Sequence, residues 1–532
     1  MRYTMDKALI IKEGRTALGI EFGSTRVKAV LIDEGCTPLA SGSYEWENRL
    51  ENGYWTYSLS EVHTALKSCF KALKENIKAT YGCDFTTTGA IGISGMMHGY
   101  LAFDKKGKLL TPFRTWRNTT TGEAAEKLTA ALNFNIPQRW TSAHTYQAIL
   151  SKEPHVPEIA YVTTLAGYVH YMLTGVNAVG IGEASGIFPI DSEAMDYDEN
   201  MVEIFDRLTQ EKGFTKKLRE IFPKVLPAGA NAGYLTEKGA LMLDESGEFS
   251  VGIPFAPCEG DAGTGMTATN SVRERTGNVS AGTSVFAMLV LKKKLSRVYP
   301  EIDMVTTPTG KPVAMVHCNN CTGDINAWAN LFTEFARAIG SDISKGKVFD
   351  LMYEMAGKGE KDCGGLLSYN FYSGEPVAYC DEGRPMFLRT PDSRMTLPNF
   401  MRAHIYSAMA SLKLGMDLLF RNERVELDEL YGHGGYYIYP GVGQSVTAAA
   451  AGTAVSVMKT AGEGGPYGMA LLALYSVMGK GEALEDFLKN VAFRDAECVT
   501  VQPDEEDIKG LEEYIERYKA GLEAERAACK VK

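Results

Sequence analysis

The sequence predicts an α/β fold in which one design occurs twice. Two runs carry this: Gly19–Ala29, G-I-E-F-G-S-T-R-V-K-A, and Gly277–Val290, G-N-V-S-A-G-T-S-V-F-A-M-L-V. Each reads as strand, tight turn of small and hydroxyl residues, strand, and they lie about 260 residues apart. After each hairpin the apolar positions change from strand-like runs to helical spacing, so strands and helices alternate in both halves.

In chain order, Ala17, Leu18 and Ile20 form the first strand and Val27 and Ala29–Ile32 the second, with Gly23-Ser24-Thr25 at the tip. Amide donors converge at such a tip without side-chain obstruction, so it suits an anion such as phosphate. Residues 61–80 have helical spacing and lead into a strand over Gly89–Ser94. A strand over Val251–Ala256 precedes Asp261, and the polar stretch 268–276 separates the halves. The second tip is Gly282-Thr283-Ser284, and two such tips imply a nucleotide between duplicated halves. Helices follow over 324–339 and 399–420, then a short strand over Leu427–Tyr431. This gives units 16–270 and 271–502 and a charged amphipathic helix over 503–532, read as a solvated surface helix rather than a cap or pairing element.

A net charge of −11 argues against nucleic acid, since phosphate-backbone binding needs a basic face. The first fifteen residues hold no long apolar core of a leader, and no apolar run approaches a membrane span. Ten cysteines without a disulfide-framework spacing fit a reducing cytoplasm. Cys318 and Cys321 follow His317, but no second ligand pair is evident, so buried thiols beside a strand end are preferred over zinc.

Further motifs occur in order: I-S-G-M-M-H-G (Ile93–Gly99), A-G-Y-V-H-Y-M-L-T-G (Ala166–Gly175) and A-S-G-I-F-P-I-D (Ala184–Asp191). E-G-D-A-G-T-G (Glu259–Gly265), S-G-E-P (Ser373–Pro376) and H-G-G-Y (His433–Tyr436) follow. With the hairpins, these resemble the FGGY carbohydrate kinases over roughly residues 16 to 480, with motifs nearest the xylulose kinase branch. The resemblance implies two ribonuclease H-like domains of the actin/hexokinase superfamily, with a nucleotide and sugar cleft between them. It also implies ATP and Mg²⁺ as cofactors and a sugar as substrate.

Asp261 stands at a strand-to-helix junction flanked by glycines that let a ligand approach. Phosphoryl transfer to a sugar hydroxyl needs a group to accept its proton, and the resemblance places that base at Asp261. A helix N-cap is the competing structural reading. Glu259 would share a face with Asp261 only if the strand ran on through Gly260, and the glycine argues that it stops first. By the same resemblance, Gly23, Ser24, Thr25, Gly282, Thr283 and Ser284 cradle phosphates, and Glu21 joins Asp261 near the metal. Glu21 is a departure from the family's usual aspartate. Arg26 or Lys28 can add positive charge to the first tip. Met97, His98, Trp116, Arg117 and Asn118 match the sugar-contacting segments, with Trp55 as an apolar wall. Here too the chain departs: Met96 replaces a glutamine, and Trp116-Arg117-Asn118-Thr119 replaces the branch's W-N-D-x-R. Gly434, Gly435 and Tyr436 match the nucleoside-contacting turn, Tyr436 stacking on the base. Gly468 resembles the small-residue helix start that closes the nucleotide pocket.

The leading expectation is therefore ATP-dependent phosphorylation of a ketopentose such as xylulose. A superfamily ATPase driving conformational change in a partner protein, or a catalytically weakened sugar-binding regulator, are the alternatives. The oligomeric state is open, with a two-fold homodimer, the commonest closed assembly, as the one to test.

Overall fold

The computed structural model describes residues 6–439, 441–458 and 464–531. Residues 1–5 of the stretch read for a leader, Pro440 and Glu463 beside two of the motifs, and Lys532 of the tail lie outside the described residues.

Each half is built on a mixed sheet. In the first, strands run in the order Glu259–Gly260, Ala90–Gly95, Thr16–Phe22, Arg26–Asp33, Pro38–Glu45. Thr16–Phe22 pairs antiparallel with its hairpin partner but parallel with Ala90–Gly95, which pairs parallel with Glu259–Gly260. The second sheet repeats this order as Ala454–Met458, Glu429–His433, Thr276–Ala281, Val285–Val290, Pro312–Cys318. It adds Cys498–Val501 and Ile302–Thr306 at its two edges. The duplication read from the two hairpins is thus a duplication of topology.

Thr16–Phe22 is buried on both faces, which is why its sequence is a continuous apolar run rather than an alternating one. On one face of the sheet the helix Leu59–Tyr81 lies against Arg26–Asp33 and Pro38–Glu45; it is closed by a Ser58/Glu61 capping box and by Gly82 at φ 66°. Its Val62, Ala65, Leu66, Cys69, Phe70, Leu73 and Ile77 supply the buried stripe. The other face is covered by Gly464–Met478, which follows the second sheet in the chain but packs on the first. This contact needs bare backbone: a Cβ on Gly19 would stand 2.1 Å from Pro466 O, and one on Gly468 1.9 Å from Thr264 O.

Two readings are corrected. The segment Val251–Ala256 is extended but makes only isolated bridges, at Pro254 and Phe255; Pro254 and Pro257 have no N–H to give a ladder. Its strand comes later, at Glu259–Gly260, and therefore does include the glycine expected to end it. The C-terminal helix Glu505–Ala528 is not a solvated surface element. Leu511, Tyr514, Ile515, Tyr518 and Leu522 are buried in the second core, and Asp507 pairs with Arg402 and Lys361. Apart from the buried Asp507 and Glu525, most of its charges are exposed, and composition alone does not distinguish that arrangement from a free helix.

Candidate active site

The parallel pairing of three strands gathers the first group of candidates. Phe22 is opposite Gly95 and Gly95 opposite Gly260, so the chain leaves the sheet at one end into three segments. These are the Gly23–Thr25 tip, the Met96–Gly99 loop and the helix Asp261–Ala268. Likewise Ser280 lies opposite His433, bringing the Gly282–Ser284 tip and the Gly434–Gly435 turn to one end of the second sheet. A Cβ on Gly434, at φ 100°, would meet Ala281 O at 2.4 Å, so this turn requires glycine on both counts.

The hairpin tips are oriented by bonds to their carbonyls. In the first, Trp46 Nε1 donates to Gly23 O at 2.7 Å, Tyr57 Oη to Ser24 O at 2.6 Å and Trp46 N–H to Thr25 O at 3.1 Å. Across a trans peptide the next N–H points the opposite way, so the amides of Ser24, Thr25 and Arg26 face away from these rings. Arg26 is paired with Glu45, whereas Lys28 stands directly opposite Glu21 in the ladder.

Asp261 opens its helix, with Oδ1 accepting from Ala262 N–H at 3.0 Å and Met97 N–H at 3.3 Å. It is accessible to water yet walled by protein on most sides. That enclosure raises its pKa, against the pull of the two amides and of Arg139. Glu21 is pushed up to about 7 by burial, with the Asp261 charge adding and Lys28 opposing. Glu259 turns away from Asp261: it accepts from Gly182 N–H at 3.3 Å and Glu183 N–H at 2.8 Å, and burial lifts it to about 8. It ties the strand to the short helix Ile181–Ala184.

His98 adopts φ 71° and is buried, with Nδ1 3.2 Å from Gly186 O and its ring stacked 6.1 Å from Trp140. A carbonyl partner makes Nδ1 the donor and leaves Nε2 as acceptor. Burial holds its pKa well below the usual range, so the ring is neutral at pH 7. Ser24, Thr25, Glu47, Asn48, Trp55, Trp116 and Arg117 line an open cleft of about 410 Å³. Arg117 lies 3.9 Å above the Trp55 ring and donates to Asn48 Oδ1 at 3.0 Å. Asp261, Met97 and His98 are not part of this lining.

Two expectations fail on geometry. Asn118 is buried and its amide is spent: Oδ1 accepts from Trp55 N–H, and Nδ2 donates to Trp55 O and Thr115 O, each at 2.9 Å. It straps Trp55 in place and has no amide hydrogen left to donate to a hydroxyl. Tyr436 is fully buried, its hydroxyl donating to Ile405 O at 3.0 Å, so it is a core residue and not a stacking surface. In both, a family motif gives the position but not the side-chain direction.

Two residues escape the sequence reading. Arg139 acts electrostatically on both Asp261 and His98 and pairs with Asp303 of the second half. Glu183 is fully buried, and burial, with the Thr164 hydroxyl opposing and Glu259 and Asp261 adding, drives its pKa well above the carboxylate range. Glu183 could have been flagged as a lone charge in an apolar run; Arg139 carries no local signal.

The family model for the N-terminal domain of FGGY carbohydrate kinases matches residues 16–267, and that for the C-terminal domain matches 277–477. The chain belongs to the FGGY family of carbohydrate kinases. It is a phosphotransferase. Xylulose kinase of Haemophilus influenzae is 22% identical over 425 residues, 78% of this chain and 81% of that protein. The fold is similar to that of ligand-bound xylulose kinase from Lactobacillus acidophilus, with TM-score 0.77 and 15% identity over 96% of this chain and 98% of that one. Gluconate kinase from the same organism gives 0.76 and 15% over the same shares.

Proposed function

We propose that this kinase transfers the γ-phosphoryl group of ATP to a hydroxyl of a ketopentose, with xylulose as the leading substrate. The observation that carries this is Asp261, which leaves the sheet beside both the first hairpin tip and the His98 loop. Its raised pKa suits a group that takes the hydroxyl proton as the new P–O bond forms. The first half serves the sugar and the second the nucleotide. His98, Met97 and the Trp55–Trp116–Arg117 wall receive the sugar; the tips Gly23-Ser24-Thr25 and Gly282-Thr283-Ser284 receive phosphates; Gly434 and Gly435 border the nucleoside.

Asp261 and Glu21, whose pKa the Asp261 charge helps to raise, would hold Mg²⁺. Two carboxylates and no cluster of three ligating groups among the described residues fit an ion that shares its coordination with phosphates and water. Bound there, Mg²⁺ supplies positive charge to the phosphate oxygens.

The relatives support xylulose, but the near-equal likeness to a gluconate kinase fold leaves the sugar to experiment. Coupled ATP turnover against a panel of ketoses, polyols and gluconate is the test. The expected result is sugar-dependent turnover fastest with D-xylulose. Turnover indifferent to sugar supports the ATPase alternative, and sugar binding without turnover the regulator. No helix among the described residues is long and apolar enough to cross a membrane, and a cytoplasmic enzyme is the accompanying proposal.

A further inference from the structure

The Ser373–Pro376 motif takes no part in the roles above, yet its Glu375 is completely buried. Both carboxylate oxygens are engaged by one turn. Asn319 N–H donates to Oε1 at 3.3 Å, and Asn320 N–H and Nδ2 donate to Oε2 at 3.2 and 3.1 Å. The next two residues of that turn hold the second hairpin tip. Cys321 N–H donates to Thr283 O at 2.9 Å; Thr322 N–H and Oγ1 donate to Gly282 O at 3.0 and 2.7 Å. Asn320 also cross-braces the motif, its Oδ1 accepting from Tyr372 and Ser373 N–H at 2.9 and 3.2 Å. With the Gly282 and Thr283 carbonyls fixed toward the 319–322 turn, the trans peptides direct the Thr283 and Ser284 N–H groups the opposite way.

We propose that Glu375 is the positioning residue of the second hairpin, setting through the Asn319–Thr322 turn the direction in which Thr283 and Ser284 present their amides to nucleotide phosphate. This rests on the kinase reading above. Glu375 touches no substrate; it acts two links away. Burial lifts its carboxyl to about 7, and the three donors of the turn pull it back, so its charge at neutral pH depends on their staying in place. The titratable groups that feel its charge, Cys318, Cys321 and Tyr518, are buried and held neutral.

The test compares full-length wild type with Glu375→Gln and Asn320→Ala, the latter removing the side-chain bond from Nδ2 to Glu375 Oε2 at 3.1 Å. ADP affinity is measured by calorimetry, KM for ATP and for the sugar by turnover, and folding by thermal unfolding. An amide in place of the anion sets an N–H₂ against amide donors, so Glu375→Gln should weaken ADP binding roughly five- to fifty-fold, with the sugar KM within about two-fold of wild type. Asn320→Ala should move the same way. Unchanged ADP affinity in a folded Glu375→Gln protein, or equal losses for sugar and nucleotide, overturns the proposal. If Glu375→Gln does not fold, unchanged ADP affinity in Asn320→Ala overturns it instead. Wild type that binds no ADP removes the kinase reading and this inference together; wild type that binds while both variants bind equally well removes only the inference.

Discussion

Asp261 sits where helix start, strand end and neighbouring loop meet, and its carboxylate is held by the Met97 and Ala262 amides rather than by a cation. Replacing it by asparagine keeps the shape and removes the proton acceptor. Asp261→Asn should lower kcat by roughly 10²–10⁴-fold with ADP affinity nearly unchanged. More than about half the activity retained would remove the general-base role. At Asn118, an aspartate would restore the residue usual in the xylulose kinase branch but set a carboxylate against the carbonyls of Trp55 and Thr115. Asn118→Asp should therefore cost about 1–3 kcal/mol and raise the sugar KM by freeing Trp55; a more stable, tighter-binding variant would contradict the strap. Glu259 gives a pH dependence. Its folded pKa of about 8 lies above the ordinary glutamate value of 4.5, so its contribution is fully present below the unfolded value and is lost as pH rises toward 8. The melting temperature of Glu259→Gln relative to wild type should thus improve from about pH 5 to about pH 8.5, and a constant difference would show that Glu259 does not titrate in this window.

At the scale of elements, the helix Gly464–Met478 links the chemistry to the first core. It lies on Thr16–Phe22 and Ala90–Gly95 and crosses Asp261–Ala268, the helix that carries the candidate base. Since a Cβ on Gly468 would stand 1.9 Å from Thr264 O, Gly468→Ala must push these two helices apart. The expected cost is on the order of 1–3 kcal/mol, seen as a lower denaturant midpoint together with reduced kcat. Wild-type values for both would mean that the crossing relaxes without moving Asp261. Small residues at this helix start are visible in the sequence, where helix packing and nucleotide contact explain them equally well. The neighbour that makes them necessary lies about 200 residues earlier in the chain.

For the whole molecule, two sheets of like topology are joined across their interface by specific bonds. Arg139 pairs with Asp303, and Asn135 Nδ2 donates to Asp303 Oδ1 at 3.2 Å. Ser185 Oγ accepts from Thr306 N–H at 3.0 Å. These contacts attach the edge strand Ile302–Thr306 to the loops around His98 and Glu183, so a movement between the halves reaches the proposed sugar side directly. Binding of sugar with a non-hydrolysable ATP analogue should draw the halves together and exclude water from the phosphates. Small-angle scattering should then record a smaller radius of gyration than for the free protein. An unchanged radius, with occupancy confirmed independently, would leave closure without support.

The hairpins, their repetition and the ordered motifs were legible because each is local: a glycine turn between apolar runs specifies its own geometry, and two copies specify a duplicated fold. Asp261 was legible for the same reason, as a carboxylate between glycines at a strand-to-helix junction. Side-chain direction and long-range partnership were decided only in three dimensions. Tyr436 turns into the core, Asn118 is consumed by backbone groups 63 residues away, and the charged C-terminal helix proves to have a buried tyrosine face. Arg139, Glu183 and Glu375 gain their significance from neighbours that the chain brings in from 76 to 164 residues away or, for Glu375, 55. Local pattern fixes which backbone forms; what a side chain meets there depends on packing between distant segments, and no local pattern encodes that.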